Sequence, residues 1–260
     1  MLLTIDIGNT NITLGVYTGE DLGPRWRLAT NVKGMPDEYG LTFTDLINHA
    51  GLQPADVTGV CLGSVVPPVT GRIVEACRKD LGQEPLVVDA GVKTGVRIRS
   101  EEPRAVGADR IVDAAAVQQL YGGPACVVDF GTATTFDAIS GEGDYLGGAI
   151  SPGIRIAAEA LSLQTAKLPS VDLQRPPAAI GRNTIQAMQS GLLFGFVALV
   201  EGMVDRFRKE LGPEMKVIAT GDLAETFSRE TQVIQTIAPW LTLEGLRIIW
   251  HLNQKTGSGT

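Results

Sequence analysis

Two short apolar runs with strand-forming residues end in the same polar pattern. The first run, residues 2–5, leads into Asp6-Ile7-Gly8-Asn9, and the second, residues 126–128, leads into Asp129-Phe130-Gly131-Thr132. A short apolar run bounded by turn residues is typical of a buried strand. We therefore predict that each motif lies in a tight turn where a buried strand ends.

The similarity of the two stretches continues beyond the motifs. In each, an alternating segment follows the motif, then a glycine-bearing turn, and then a further strand-like segment. This repetition predicts a duplicated β-hairpin core, one copy per domain, with a nucleotide held between the two halves. The predicted second strands are residues 12–17 and 135–139, and the third strands are residues 25–30 and 145–150.

Helical and strand-like patterns alternate along the rest of the chain, which favours mixed sheets with helices on their faces. The predicted fold class is α/β, with two domains, each a mixed sheet flanked by helices. A Gly-Gly-Pro sequence at 122–124 sets the predicted domains at 1–121 and 122–260. Helices are predicted at 37–50, 69–81, 107–120, 183–207 and 243–253, and strands at 57–66, 86–89 and 216–220.

Composition narrows the class of protein. The chain has 260 residues, 44% of them hydrophobic, and a formal net charge of −7. This charge does not favour a nucleic-acid partner. The three cysteines lack metal-ligand spacing, and Cys61 and Cys126, which lie in apolar runs, are interpreted as buried free thiols. The longest late apolar run, 192–200, is shorter than a membrane span, so a soluble, cytoplasmic protein is expected. The polar tail at 255–260 is expected to be loose.

The residue types in the two motifs suit phosphate binding. Glycines allow close backbone approach and torsions forbidden to other residues, and hydroxyl and amide side chains donate hydrogen bonds to phosphate oxygens. Asp6 and Asp129 would repel phosphate unless a cation lay between, and hard cations prefer oxygen ligands. The alternative is that both motifs are ordinary hairpin turns. The candidate donors are Asn9, Thr10, Asn11, Thr132 and Thr134.

Asp109 is the candidate catalytic acid, since it lies at a predicted helix start between Gly107 and Arg110. An acid there is also explained by the helix dipole, which would lower its pKa and weaken it as a base. Phosphoryl transfer needs little early deprotonation of the hydroxyl, so a carboxylate can orient the hydroxyl and accept its proton late. The chain contains no P-loop motif, and His49 and His251 are interpreted as structural or surface residues.

These motifs together resemble the type III pantothenate kinases. The similarity runs nearly end to end, through Gly107 to Arg110, the Gly147-Gly148 segment, Thr184 and a late Leu243-Glu244-Gly245-Leu246 motif. The resemblance implies an actin-like ATPase and sugar-kinase fold, with two ribonuclease-H-like domains and ATP in an interdomain cleft. The implied activity is ATP-dependent phosphorylation of pantothenate to 4'-phosphopantothenate, the first step of coenzyme A synthesis. It also implies magnesium with the nucleotide, potassium or ammonium as a monovalent cation, and a homodimer.

The resemblance assigns roles to residues. It implies that Asp109 accepts the proton, that Asp129 binds the monovalent cation, and that Thr132 contacts ATP. From the motif residues themselves we also infer that Asp6 and Asp129 organise cations around the phosphates. The phosphate loop falls on Asp6, Ile7, Gly8, Asn9, Thr10, Asn11, Ile12 and Thr13, the second turn on Gly131, Thr132 and Thr134, and the pantothenate contacts on Ser100, Gly107, Ala108, Asp109, Arg110 and Thr184.

Two positions depart from the family pattern. Ser100 stands where the family usually has a tyrosine lining the pantothenate pocket, and Asp222 follows Gly221 where a second glycine is usual. These departures leave two alternatives open: a nucleotide-binding regulator of the same fold with weak or no turnover, and a kinase for another small hydroxyl compound. The long predicted helix carries small residues that would admit a neighbouring helix, from a second subunit or from the same domain: Ala187, Gly191, Gly195 and Gly202.

Overall fold

The computed structural model describes residues 1–254, so the predicted loose tail lies outside the described residues. The chain divides into two units. The first contains Met1–Tyr121 and the chain from Leu241 onward, and the second contains Gly122–Trp240. The predicted division placed all of 122–260 in the second domain. The structure differs there because the last helix, Leu241–Gln254, buries its apolar side chains against the first unit's strands and helices.

The first unit is built on a five-stranded mixed sheet. Its strand order is β3-β2-β1-β4-β5, with β1 antiparallel to β2 and parallel to β4. β1 is buried along nearly its whole length, as its apolar run predicts. The strands are β1 (Leu2–Ile7), β2 (Asn11–Thr18), β3 (Asp21–Ala29), β4 (Gly59–Ser64) and β5 (Leu86–Val87), and the helices are α1 (Pro36–His49), α2 (Pro67–Asp80), α3 (Ala108–Leu120) and α7 (Leu241–Gln254).

The second unit repeats this topology. Its order, β10-β9-β6-β7-β8, is the first unit's order when read from β8, with the same antiparallel and parallel pairings around the central strand. The predicted fold class of two mixed sheets flanked by helices is therefore confirmed. The strands are β6 (Ala125–Phe130), β7 (Ala133–Ile139), β8 (Tyr145–Pro152), β9 (Lys216–Thr220) and β10 (Thr236–Ile237), and the helices are α4 (Ile154–Leu163), α5 (Thr184–Leu211) and α6 (Ala224–Ser228).

The long helix α5 has one face packed on the second unit and one face open. Val197, Val200 and Val204 are buried, whereas Ala187, Gly191, Gly195 and Gly202 are exposed. By length and composition alone α5 could cross a membrane. Core helices of soluble proteins share this length and composition.

The cysteines fit the sequence interpretation. Cys61, Cys77 and Cys126 are buried and free. Burial raises the pKa of each thiol to about 12, so these side chains are unreactive parts of the two cores. His49 and His251 lie on α1 and α7 and are exposed, as expected for surface residues.

Candidate active site

The first motif forms the turn between β1 and β2. The turn is closed by a backbone hydrogen bond in which Gly8 N donates to Asn11 O over 2.9 Å, and the Thr30 hydroxyl donates to Gly8 O over 2.7 Å. Asp6 pairs with half-buried Thr13 across the hairpin. Asn9 and Thr10 are exposed at the tip, so the turn presents neutral side chains and backbone groups to solvent.

The second motif forms the equivalent turn between β6 and β7. Gly131 N donates to Ala133 O over 3.0 Å, and Asp129 pairs with Thr135 as Asp6 does with Thr13. This turn is one residue shorter, because Phe130 pairs with Thr134 whereas Ile7 pairs with Ile12. Gly131 and Thr132 are exposed. Each unit therefore carries one carboxylate at the same position, on the central strand just before an exposed turn.

The strand register shows which side chains of the predicted phosphate-binding set face the two cores. Ile7 and Ile12 are both 0% exposed and belong to the first core, and Thr134 is 1% exposed. Thr134 occupies the position equivalent to Ile12 and points, like Phe136 two residues later, into the second core. Side chains on alternate strand positions face opposite sides of a sheet, so these three side chains face the cores. The place of Ile7 and Ile12 in the phosphate loop stays a prediction about their backbone groups.

The predicted reason for the motif glycines also needs correction. Neither Gly8 nor Gly131 has a positive φ in this structure, so forbidden torsions do not explain them. Limited space contributes at Gly8, where a Cβ would lie 3.1 Å from Asn11 O. A Cβ on Gly131 would lie 3.4 Å from Asp129 Oδ2, an ordinary van der Waals distance, so neither torsion nor space requires glycine at 131.

Two further glycines, to which the sequence analysis assigned no role, surround the second turn. A Cβ on Gly221 would lie 2.4 Å from Asp129 Oδ1, and one on Gly153 would lie 2.3 Å from Thr132 O. Gly221 follows β9 with φ +87°, so it is the position where both space and torsion require glycine. The signal in the sequence was a Gly directly after the predicted strand 216–220 and another three residues after the predicted strand 145–150. Only the folded structure, with β9 paired beside β6, shows what these glycines contact.

Asp129 offers the oxygen chemistry that a hard cation prefers. Its carboxylate and the carbonyl oxygens of Phe130 and Thr132 lie around Gly221 and Gly153. Among residues 1–254, no group of three or more His, Cys, Asp or Glu side chains could hold a metal ion. A hard cation that binds together with a phosphate ligand is usually held by one or two carboxylates plus phosphate oxygens and water, so a single carboxylate per turn fits a cation of that kind.

Asp109 lies in the first turn of α3, whose N-cap is Gly107. Its Oδ1 accepts a hydrogen bond from Arg110 N over 2.8 Å, and a Cβ on Gly107 would lie 2.5 Å from that oxygen. Glycine at 107 therefore makes room for the carboxylate. Burial raises the pKa of Asp109, and the Arg110 backbone hydrogen bond and charge oppose that rise only in part. The predicted lowering by the helix dipole is wrong because desolvation outweighs it.

The predicted pantothenate contacts fall in two places. Gly107, Ala108, Asp109 and Arg110 lie together at the start of α3, and half-buried Ser100 lies in the preceding loop, where its hydroxyl accepts from Glu102 N over 3.4 Å. Thr184 begins α5 in the other unit and is exposed. Gln186 N donates to the capping Asn183 side chain over 2.9 Å, which accounts for the helix start but gives Thr184 no structural role.

The second unit contains a cavity of about 610 Å³. Pockets of this size accommodate small ligands. It is lined by one side of α4, the segment 170–173 and Leu223. Helix α4 starts directly after Gly153, and Leu223 lies two residues after Gly221, so the walls of the cavity extend from the two glycines that border Thr132 and Asp129. Its lining includes Arg155, Ala158, Glu159, Ser162, Asp172 and Leu223.

A family model described as "Type III pantothenate kinase" matches residues 2–206. The chain belongs to the type III pantothenate kinase family. A type III pantothenate kinase of Moorella thermoacetica is 53% identical over 97% of this chain and 100% of the relative. One from a Roseiflexus species is 49% identical over 98% of this chain and 100% of the relative. Membership of this family makes the chain a kinase.

The fold of this type III pantothenate kinase family member also occurs among sugar kinases. The crystal structure of a polyphosphate/ATP-glucomannokinase from an Arthrobacter species superposes with a TM-score of 0.51, covering 97% of this chain and 98% of that chain. The two sequences are only 15% identical, so this likeness concerns the fold and supports two ribonuclease-H-like units of the actin-like type.

Proposed function

We propose that this protein transfers the terminal phosphoryl group of ATP to the hydroxyl group of pantothenate, giving 4'-phosphopantothenate for coenzyme A synthesis. Family membership over nearly the whole chain is the observation that carries this proposal. The reaction belongs in the cytoplasm, where ATP is available, and the proposal includes no nucleic-acid or membrane partner.

Asp109 is the proposed proton acceptor. In the reaction the hydroxyl oxygen of pantothenate bonds to the γ-phosphorus, the bond to the β–γ bridging oxygen breaks, and the hydroxyl proton passes to Asp109. Burial supports this role, because a raised pKa makes the carboxylate a better acceptor than an ordinary aspartate. Arg110 N, which donates to Oδ1, fixes the orientation of the carboxylate. Ser100, Ala108, Arg110 and Thr184 are retained as proposed pantothenate contacts.

The exposed turns are the proposed phosphate-binding elements. Asn9, Thr10 and Thr132 offer neutral donors, and Asp6 and Asp129 are proposed to interact with cations. Magnesium bound with ATP would neutralise charge that develops on the transferring group. We propose Asp129 as the site of potassium or ammonium, because its carboxylate stands beside backbone carbonyl oxygens at Gly221.

The cavity beside α4 is the proposed place of the ATP nucleoside. It is built on the same two chain segments that border Asp129 and Thr132, and its mixed apolar and polar lining suits a base and a sugar. Arg155 lines the cavity in the first turn of α4, two residues after Gly153, and adds a positive charge to its wall. Asp222 is exposed on the rim segment between Gly221 and Leu223.

The exposed face of α5 is the proposed homodimer contact. A Cβ on Gly191, Gly195 or Gly202 would meet no atom within 4 Å, so intradomain packing does not explain these small residues. Two α5 helices could approach closely along such a face. Two alternatives were left open by the sequence, an inactive regulator and a kinase for another acceptor. No feature that the structure gives for Ser100 or Asp222 favours either of them.

A coupled assay of ADP release tests the proposed function. Purified protein is assayed with ATP and magnesium, with and without pantothenate, and with sodium in place of potassium. We expect pantothenate-dependent ADP release that falls when sodium replaces potassium. ADP release at the same rate with and without pantothenate would contradict the proposed function. Equal rates in sodium and potassium would contradict the proposed cation site but not the proposed function. A panel of other small hydroxyl compounds identifies a different acceptor.

A further inference from the structure

The late motif Leu243-Glu244-Gly245-Leu246 lies at the start of α7 and takes no part in the proposed site. Leu243 and Leu246 are 1% and 0% exposed, and Gly245 is buried between them. Glycine in a helix interior costs stability relative to alanine, so a buried helical glycine calls for a packing reason. Helix α7 makes the most extensive helix–helix contact of the described residues, and its partner is α3.

Gly245 contacts the backbone of α3 directly. A Cβ on Gly245 would lie 2.1 Å from Val112 O, 2.6 Å from Val112 Cγ1 and 2.8 Å from Val112 C. Two of these atoms belong to the helix backbone, which cannot rotate away as a flexible side chain would. Ordinary C···O contacts are about 3.3 Å or longer, so an added methyl group would force the two helices apart by about 1 Å.

Helix α7 has little freedom to retreat from α3. On its sheet-facing side, Leu243 Cδ1 would lie 2.8 Å from a Cβ on Gly15 of β2, and Trp250 Cζ2 would lie 2.2 Å from a Cβ on Gly59 of β4. Side chains at both ends of α7 therefore rest on strand glycines. Since the interior is close-packed, the shift caused by a side chain at 245 falls largely on α3.

The displaced helix carries the proposed proton acceptor. Val112 lies three residues after Asp109 in α3, less than one helical turn along the axis. We propose that Gly245 is a positioning residue for Asp109. Because Gly245 has no side chain, α3 can pack closely against α7, and this close packing holds the carboxylate of Asp109 in its catalytic position. This inference rests on the proposed function, because it concerns turnover through Asp109. A misplacement of about 1 Å costs turnover on the order of 10²-fold.

The test substitutes Gly245→Ala, with Gly71→Ala as the matched control. Gly71 lies in α2 of the same unit, and a Cβ there meets no atom within 4 Å. We expect Gly245→Ala to lower kcat by about 10²-fold with the KM for ATP unchanged, while Gly71→Ala keeps the wild-type kcat. A wild-type kcat for folded Gly245→Ala, checked by its circular dichroism spectrum, would overturn the proposal.

A double-mutant cycle separates positioning from general damage. In an Asp109→Asn background, Gly245→Ala is expected to lower kcat by no more than about twofold, since its effect passes through a carboxylate already removed. A further loss of about 10²-fold would overturn the inference. If Gly245→Ala does not fold, Val112→Ala replaces it. This variant loosens the same contact without adding atoms, and an unchanged kcat there would be equally decisive against the proposal.

The cycle also distinguishes this inference from its premise. Wild-type protein without pantothenate-dependent ADP release would remove the proposed function, and Asp109→Asn with wild-type turnover would remove the proposed proton acceptor. Additive losses in the double variant, with wild-type turnover present and Asp109→Asn impaired, would overturn the role of Gly245 alone.

Discussion

Replacement of Asp109 by asparagine isolates the charge of the proposed proton acceptor. Asparagine has nearly the same shape, and its Oδ1 can still accept the hydrogen bond from Arg110 N that spans 2.8 Å in the structure. Packing against Gly107 is also unchanged. The oxygen that occupies the space where a Cβ of residue 107 would lie, Oδ1, which is 2.5 Å from that position, is present in asparagine as well. The substitution therefore removes the proton acceptor with little change in packing.

The expected loss of turnover is at least about 10²-fold, the lower end of general acid–base contributions. This corresponds to about 2.7 kcal/mol of transition-state stabilisation. Although turnover falls, the folded Asp109→Asn variant should be more stable than the wild-type protein at neutral pH. Burial raises the pKa of Asp109 in the folded protein, so wild-type protein loses stability as pH rises through the interval from the ordinary aspartate pKa to the raised one. Asparagine does not titrate, so the variant should have the higher Tm at neutral pH.

Two measurements check this expectation. The ADP-release assay gives kcat, and thermal unfolding followed by circular dichroism between pH 4 and pH 8 gives the Tm difference, with the pH range chosen to span ordinary aspartate titration and neutrality. We also expect wild-type kcat/KM to fall on acidification at a pH above the ordinary aspartate pKa. Wild-type turnover in Asp109→Asn would refute the proton-acceptor role. A variant that is less stable at neutral pH would refute the argument from burial.

Three further substitutions test other parts of the site. Gly221→Ala would place a methyl group 2.4 Å from Asp129 Oδ1 and should raise the KM for ATP at least about tenfold. The control Gly212→Ala has a similar φ of +97° but open space around it, so it should lower the Tm, as Gly221→Ala does, without changing the KM for ATP. Equal KM values in the two variants would contradict the role of Asp129. Ala158→Phe should fill the cavity beside α4 and raise the KM for ATP about tenfold with kcat retained, whereas an unchanged KM would remove the nucleoside from that cavity. Gly195→Glu should convert a dimer into a monomer in sedimentation velocity, and an unaltered dimer would exclude this face of α5.

The sequence pattern was sufficient for the architecture because both sheets are built from local signals. The apolar runs before Asp6 and Asp129 are buried central strands, and the alternating segments after them return as antiparallel partners. Two of the elements it missed are short. Helix α6 has five residues and β10 has two, and such elements are held by tertiary contacts more than by their own periodicity. Helix α4 has ten residues with an amphipathic pattern, so its signal was present in the sequence.

The chemistry of the site was less predictable because it depends on distances between segments remote in sequence. The helix-dipole argument for Asp109 used only its own helix, whereas its pKa follows burial by the surrounding chain. Thr134 matched a phosphate-binding pattern, but its strand register directs it into the core. The prediction that Asp6 and Asp129 face one another across a nucleotide cleft stays a prediction.

The most direct test of the central claim is identification of the product. Purified protein is incubated with ATP, magnesium, potassium and pantothenate, and the products are separated and identified by mass spectrometry, with Asp109→Asn as the matched control. We predict 4'-phosphopantothenate and ADP in equal amounts from wild-type protein and at least about 10²-fold less of both from the variant in the same time. ATP consumption without phosphorylated pantothenate, or equal product from the variant, would contradict the account.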